Sequence, residues 1–143
     1  IMDLQQLQEQ VDKDIKLNSD NLDIESLKIP ELHNKYLKFH NRFTLLLKKA
    51  ETDFKELYKH KWEYYGGKSS PEVYKENPFD LKVLKSDIPT YLESDKELIE
   101  LEQKIAYNKT IVNYLEQILR SLNNRTFQIK NAIEWRKFEA GVL

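Results

Sequence analysis

The most regular pattern in the chain is an apolar heptad towards its C-terminal end. Between residues 94 and 141, apolar side chains recur in alternating steps of four and three, with only Asn108 and Thr126 polar. A period near 3.5 residues is typical of a helix that packs along another helix. The pattern predicts one helix of about 45 residues, roughly 68 Å long. Its apolar core positions are Leu101, Ile105, Val112, Leu115, Leu119, Leu122, Ile129 and Ile133.

The length of this helix bears on assembly. A compact body of 143 residues has a radius of gyration of roughly 14–15 Å, so it cannot enclose a helix this long. Another long helix, other copies of the chain, or both must cover the apolar seam. A single-chain helical hairpin and a homo-oligomer both remain open, and the wide, steady seam favours the homo-oligomer.

Helical periodicity also dominates the rest of the chain. A second long amphipathic pattern covers residues 31–65, and Gly66 with Gly67 predicts its end. Pro30 fits the first turn of that helix, where its missing amide costs no hydrogen bond. A shorter amphipathic helix is expected over residues 3–17. Strand-like alternation occurs only in fragments, so the predicted fold class is all-α, with an elongated helical architecture.

Local signals divide the chain around the heptad. Ser94 followed by Glu97 predicts a capping box at the start of the C-terminal helix. Residues 66–78 are rich in glycine, serine and proline, which predicts a mobile loop. We therefore expect an N-terminal helical region over residues 1–93 and a C-terminal oligomerisation helix over residues 94–143.

The charge is sorted along the sequence although the net charge is only −1. Residues 31–68 carry nine basic and five acidic side chains, whereas residues 1–30 carry three basic and seven acidic ones. Near-neutrality therefore does not exclude a polyanionic partner. No apolar run approaches the roughly 18 residues that suggest a membrane span. The first residues lack the features of a signal peptide, which predicts a soluble intracellular protein.

Few features of the sequence suggest catalysis. The chain has no cysteine, so it has neither disulfides nor a thiol nucleophile. His33 and His40 are seven residues apart on one predicted helix, about 10.5 Å along its axis, which is too far to share one metal ion. Phosphate-binding and metalloprotease motifs are absent. We expect a protein that is not an enzyme and that uses no metal or cofactor.

The most suggestive chemistry lies in residues 55–68, where lysines alternate with aromatic residues. Lysines contact phosphates and release counterions, and aromatic rings stack on unpaired bases of any sequence. The alternative is that the rings pack inside a helical hairpin while the lysines are merely solvated, and the residues alone leave both open. The candidate side chains are Lys55, Lys59, Lys61, Lys68, Trp62 and Tyr65.

Two blocks of sequence resemble a known family. Residues 59–67, Lys-His-Lys-Trp-Glu-Tyr-Tyr-Gly-Gly, resemble Lys-Ala-Arg-Leu-Asp-Tyr-Tyr-Ser-Gly of the UvsY family, the recombination mediators of tailed bacteriophages. Residues 127–130 and 136–141 are similar to the family's terminus, Phe-Ala-Ile-Lys followed by Arg-Ala-Phe-Glu-Ala-Gly. The opening from residue 4 to residue 14 also resembles the family's start, so the likeness spans the chain.

The resemblance implies a non-enzymatic accessory factor of recombination. Family members form ring-like homo-oligomers, here expected to be hexamers or heptamers, through the C-terminal region. They bind single-stranded DNA and help load the phage recombinase (UvsX-like) onto DNA covered by the phage single-strand-binding protein. The implied place of action is the cytoplasm of the infected bacterial host. The rival interpretation is a coiled-coil scaffold or adaptor without nucleic-acid binding.

The family's DNA-contacting lysine and arginine fall on Lys59 and Lys61 when they are carried over by position. Lysine at residue 61 keeps the charge but lacks the planar fork of arginine. Trp62 stands where the family has leucine, and the larger ring is expected either to stack on a base or to fill more of the core. Lys55 and Lys68 are expected to assist.

Overall fold

The structure, a computed structural model, describes residues 2–141 and is all-α over that range, which confirms the predicted fold class. Two helices of 44 residues dominate it. The helices are α1 (Leu4–Asp14), α2 (Leu22–Tyr65), α3 (Pro71–Glu76), α4 (Ile88–Glu93) and α5 (Lys96–Glu139), with a 3₁₀ turn at Lys85–Asp87 before α4. Within these described residues, no helix combines the length and apolarity required to cross a membrane.

The chain divides into two compact units. Unit 1 combines the chain up to Phe43 with the chain from Ile111 onward, and unit 2 is Thr44–Thr110. Both long helices contribute one part to each unit. The expected boundary between residues 93 and 94 lies inside unit 2, and the separate roles of its two sides stay a prediction.

Unit 1 has a core of side chains from α1, α2 and α5. Within unit 1, Leu22 and Ile29 of α2 form an apolar cluster with Ile129 of α5, and Ala132 and Ile133 pack against this cluster. Apolar spacing on the three helices therefore produces burial within one chain. In unit 1, the apolar residues with at most 1% exposure are Leu7, Val11, Tyr36, Ile111, Leu115 and Leu122.

Helix α1 begins at a reciprocal cap. The Asp3 carboxylate accepts a hydrogen bond from the Gln6 amide at 2.8 Å, and the Gln6 side chain accepts one from the Asp3 amide at 3.1 Å. The helix ends at Asp14, three residues before the predicted end. There the Asp14 carboxylate accepts bonds from Lys35 Nζ at 2.6 Å and from the Tyr36 hydroxyl at 2.7 Å, which ties α1 to α2.

Two arginines of α5 bind the segment that follows α1. The Arg125 guanidinium donates to the Ile15 carbonyl, and the Arg136 guanidinium donates to the Ser19 carbonyl. Arg125 is buried, at 8% exposure. The buried guanidinium of Arg125 therefore pairs the carbonyl of Ile15, the residue that caps the C-terminal end of α1.

Helix α2 runs through Pro30, so the expectation that this proline opens a helix was wrong. An interior proline removes the hydrogen bond to the carbonyl four residues earlier, here that of Ser26, and costs about 3 kcal/mol. Leu22 and Ile29, both before the proline, are buried in the cluster that contains Ile129. Their burial makes the preceding turns part of the same helix, an effect of tertiary packing that local signals do not report.

The predicted end of α2 is confirmed. The helix ends at Tyr65, and Gly67 has a φ of 74°, in the left-handed region that favours glycine. The Lys68 amide then donates to the Glu63 carbonyl at 2.8 Å, which pairs one of the last helical carbonyls.

The segment after α2 has more regular structure than its composition indicated. Residues 66–78, expected to form only a loop, include helix α3. Tyr74 of α3 stacks on the Tyr64 ring with centroids 5.4 Å apart, and its hydroxyl donates to the Tyr64 carbonyl at 2.8 Å. An aromatic contact thus holds α3 against the end of α2.

The cap of α5 lies one residue later than predicted. The Leu98 amide donates to Asp95 Oδ1 at 3.0 Å, whereas the Ser94 hydroxyl donates to the Thr90 carbonyl of α4 at 3.0 Å. The prediction of Ser94 as the cap was therefore wrong. Asp95 is a carboxylate at the positive end of the helix dipole, a better match than a serine hydroxyl.

Candidate nucleic-acid interface

The end of α2 and the start of α5 meet in unit 2 at the carboxylate of Asp95. Its Oδ2 atom accepts a hydrogen bond from the Tyr65 hydroxyl at 2.5 Å and lies 3.2 Å from Lys61 Nζ. Only 4% of the Asp95 side chain is exposed. With the helix cap on Oδ1, this carboxylate is fully engaged inside the chain.

Lys61 is held by two carboxylates. Besides Asp95, its Nζ atom lies 3.5 Å from Glu97 Oε1, and 20% of its side chain is exposed. The same ammonium lies 5.8 Å from the centroid of the Tyr64 ring. The sequence predicted a phosphate contact at Lys61 and did not indicate these two carboxylates, because Asp95 and Glu97 are more than 30 positions away along the chain.

The predicted lysines do not share one face of α2. Lys55 and Lys59 are exposed and four residues apart, which places them on one side of the helix. Lys61 follows Lys59 by two residues, a turn of about 200° around the helix axis. Lys68 is exposed beyond the helix end, with Nζ 4.8 Å from the centroid of the Trp62 ring. The structure therefore groups Lys55 with Lys59 and separates them from Lys61.

The two predicted aromatic side chains contribute to the core of unit 2. Trp62 and Tyr65, both partly buried, pack against the cluster of Ile88, Leu92 and Leu98. The Tyr65 ring also lies within 5.1–5.6 Å, centroid to centroid, of the rings of Tyr64, Phe79 and Tyr91. Their packing against the core is thus established, and their stacking on bases stays a prediction.

A groove of about 320 Å³ opens beside Lys61. It has polar and aromatic walls from the end of α2, from α3 and from the start of α5. The lining residues are His60, Lys61, Tyr64, Tyr65, Val73, Asn77 and Glu97. Anything that approaches the ammonium of Lys61 through this groove also meets the carboxylate of Glu97.

Four of the shifted pKa values belong to two aspartate–tyrosine pairs, Asp14 with Tyr36 in unit 1 and Asp95 with Tyr65 in unit 2. Burial alone would raise the pKa of Asp95 and of Asp14, but hydrogen bonds and the charges of Lys61 and Lys35 outweigh it and lower both below 3.8. Burial raises the pKa of Tyr65 well above 10.0, and the bond to Asp95 raises it further. The pKa of Tyr36 rises for the same reasons, with Asp14 as its partner.

These pKa shifts predict how stability depends on pH. A lowered carboxyl pKa stabilises the fold above about pH 4, and that contribution is lost as the pH falls further. A raised phenol pKa stabilises the fold below about pH 10, and that contribution is lost as the pH rises above this value. We expect a melting temperature that is nearly flat between these limits and drops on both sides. Asp95→Asn should reduce the fall in melting temperature below about pH 4. An equally large fall in this variant would contradict the view that ionised Asp95 stabilises the fold.

The predicted oligomerisation seam faces the interior of the chain. All eight of its side chains are partly or fully buried in a single copy, so none belongs to the exposed surface. Those that are fully buried are Val112, Leu115, Leu122 and Ile129, and those that are partly buried are Leu101, Ile105, Leu119 and Ile133. Their contribution to contacts between copies stays a prediction.

An exposed aromatic row lies elsewhere on α5. Phe127, Trp135 and Phe138 are 62–68% exposed, and the rings of Trp135 and Phe138 stack with centroids 5.6 Å apart. The heptad pattern did not indicate this row, because the three aromatic residues lie outside the heptad core positions, on the opposite face of α5. Large aromatic residues at polar helix positions were the available signal.

The chain is similar in sequence and fold to phage recombination proteins. The family model described as "Recombination, repair and ssDNA binding protein UvsY" matches residues 10–142. The recombination protein uvsY of Enterobacteria phage T4 is 26% identical over 140 residues, 98% of this chain and 99% of that protein.

Crystal structures of the bacteriophage T4 recombination mediator protein UvsY have the same fold. Lattice type II matches with a TM-score of 0.86 and 26% identity, covering 98% of this chain and 99% of that one. Lattice type I matches with a TM-score of 0.82 and 25% identity, covering 93% and 98% respectively. The similarity therefore extends over nearly the whole length of both chains.

Proposed function

The chain belongs to the UvsY family of recombination, repair and single-stranded-DNA-binding proteins, and on that premise we propose that it is a recombination mediator. It binds single-stranded DNA as a homo-oligomer and helps load the phage recombinase onto DNA covered by single-strand-binding protein. The observation that carries this proposal is the family match over residues 10–142. The similarity to phage T4 proteins supports the cytoplasm of the infected bacterial host as the place of action.

The DNA site that we propose consists of two parts of the basic segment. Lys55 and Lys59, exposed on one face of α2, contact phosphates first, and Lys68 assists beyond the helix end. Lys61, Trp62 and Tyr65 lie closer to the core and form the inner part. Lysines act on the phosphate backbone as point charges, so binding tolerates many base sequences and weakens with salt.

Self-association multiplies these contacts. We propose that the exposed aromatic row of α5 joins copies of the chain, because exposed apolar patches of this kind mark interaction surfaces. Several basic segments on one assembly then hold one strand by multivalent contacts. A strand held at many weak points is released stepwise to the recombinase as the covering protein leaves.

A salt titration of a fluorescent oligonucleotide tests the proposal. Wild-type protein should bind, and Lys59→Ala should weaken binding and flatten the dependence of log affinity on log salt by roughly 0.7 per lost contact. The effect should be similar across base compositions, because lysine reads phosphates.

Lys104→Ala is the matched control, since Lys104 is an exposed lysine of α5 outside the basic segment. It should leave affinity and salt slope unchanged. Absence of binding by folded, oligomeric wild-type protein would contradict the proposal and favour a scaffold role. Equal losses in both lysine variants would place the site outside the basic segment.

A further inference from the structure

The two carboxylates around Lys61 differ in their surroundings. Asp95 is nearly buried and engaged by the Tyr65 hydroxyl, by Lys61 and by the first turn of α5. Glu97 is 65% exposed and has one contact with Lys61, at 3.5 Å. That distance exceeds the 2.7–3.2 Å range of strong N–H to O bonds. Asp95 therefore belongs to the framework, whereas Glu97 lies on the solvent side.

Glu97 occupies the side of Lys61 from which a phosphate would arrive. The ammonium has three donors, one of which faces Asp95. The groove beside it leads to its remaining exposed surface, and Glu97 lines that groove. An incoming phosphate must either displace the Glu97 carboxylate or lie next to it and be repelled.

We propose that Glu97 competes with DNA phosphate for Lys61 and thereby sets the affinity of the protein for single strands. The inference rests on the proposed function and adds an internal competitor to that same site. A Glu97 side chain that rotates into solvent frees one cation in each subunit. This rotation requires no backbone change, because the side chain is already largely exposed and its contact with Lys61 is long. Such a competitor keeps a strand bound loosely enough to be passed on.

The test uses the full-length protein and a fluorescent oligonucleotide of thymidine, titrated at several salt concentrations. Glu97→Gln removes the competing charge and nearly preserves shape. It should raise affinity by about two- to fivefold, the range expected for an exposed ion pair. It should also steepen the salt slope by roughly 0.7, which corresponds to one additional phosphate contact on a single strand.

Two controls separate competition at Lys61 from a general loss of negative charge. Glu102→Gln removes an exposed charge from a different face of α5 and should change affinity less than Glu97→Gln. In a Lys61→Ala background, Glu97→Gln should have no more effect than Glu102→Gln. A Lys61→Met background, which retains the apolar stem, repeats the comparison if the alanine variant is poorly folded.

The outcomes are distinguishable. If wild-type protein binds and Glu97→Gln alters neither affinity nor slope, the competition is refuted while the proposed function stands. The same conclusion applies if Glu97→Gln still raises the affinity in the Lys61→Ala background. Glu97 would then act only through the net charge of the protein surface. If wild-type protein does not bind single strands at all, the proposed function fails and the inference falls with it.

Discussion

Replacing Leu115 by aspartate is expected to unfold unit 1. Leu115 is 0% exposed in a single copy of the chain. Loss of its packing costs about 2–5 kcal/mol, as measured for leucine-to-alanine changes in cores. An unpaired buried charge adds several kcal/mol more. Because whole domains are stable by only about 5–15 kcal/mol, helicity should fall sharply at room temperature, as circular dichroism would detect.

Phe138→Asp is the companion variant on the same helix. Its side chain is 62% exposed, so the same charge there should leave the melting temperature near the wild-type value. The mass measured by light scattering should fall instead, if the aromatic row joins copies. A Leu115→Asp protein that keeps wild-type helicity but dissociates would reverse this assignment. The heptad seam would then face another copy rather than its own chain.

Replacing Asp95 by alanine is the second change with a large expected effect. The substitution removes the cap of α5, worth about 0.5–2 kcal/mol. It also leaves the partly buried Tyr65 hydroxyl without its acceptor, which costs about 1–3 kcal/mol. Lys61 then retains Glu97 as its remaining carboxylate partner. The midpoint of urea unfolding should drop strongly, with little change in the slope of the transition.

Asp87→Ala is the matched control for this variant. Asp87 also precedes a helix, α4, but its side chain makes no capping bond and is exposed. It should change the urea midpoint little. Asp95→Asn, which keeps an acceptor but not the charge, should lie between the two. Equal midpoints for Asp95→Ala and Asp87→Ala would show that the network around Asp95 does not stabilise unit 2.

The helices were largely predictable because their signals are local. The heptad gave α5 to within two residues at each end, and Gly66 with Gly67 gave the end of α2. The error at Pro30 has a different origin. A proline favours a helix start on local grounds, and only the burial of Leu22 and Ile29 against α5 decides for a continuous helix. Contacts between distant segments cannot be derived from one sequence.

The candidate site shows the same limit. Residue types and spacing identified the basic segment, and they left the packing of Trp62 and Tyr65 open. They did not indicate that Lys61 would face Asp95 and Glu97, because this pairing depends on where α5 starts relative to the end of α2. The heptad likewise indicated a buried seam. It could not distinguish a partner helix of the same chain from one of another copy.

The arginine contacts at the end of α1 have a consequence for the order of folding. Arg125 is 110 positions from Ile15, and Arg136 is 117 positions from Ser19. During synthesis, the first helix leaves the ribosome long before the residues that hold its end exist. Unit 2, by contrast, is one continuous stretch whose contacts close over shorter loops. We therefore expect the nascent N-terminal segment to remain unfolded and accessible to chaperones until α5 has been synthesised and can pack against it in unit 1.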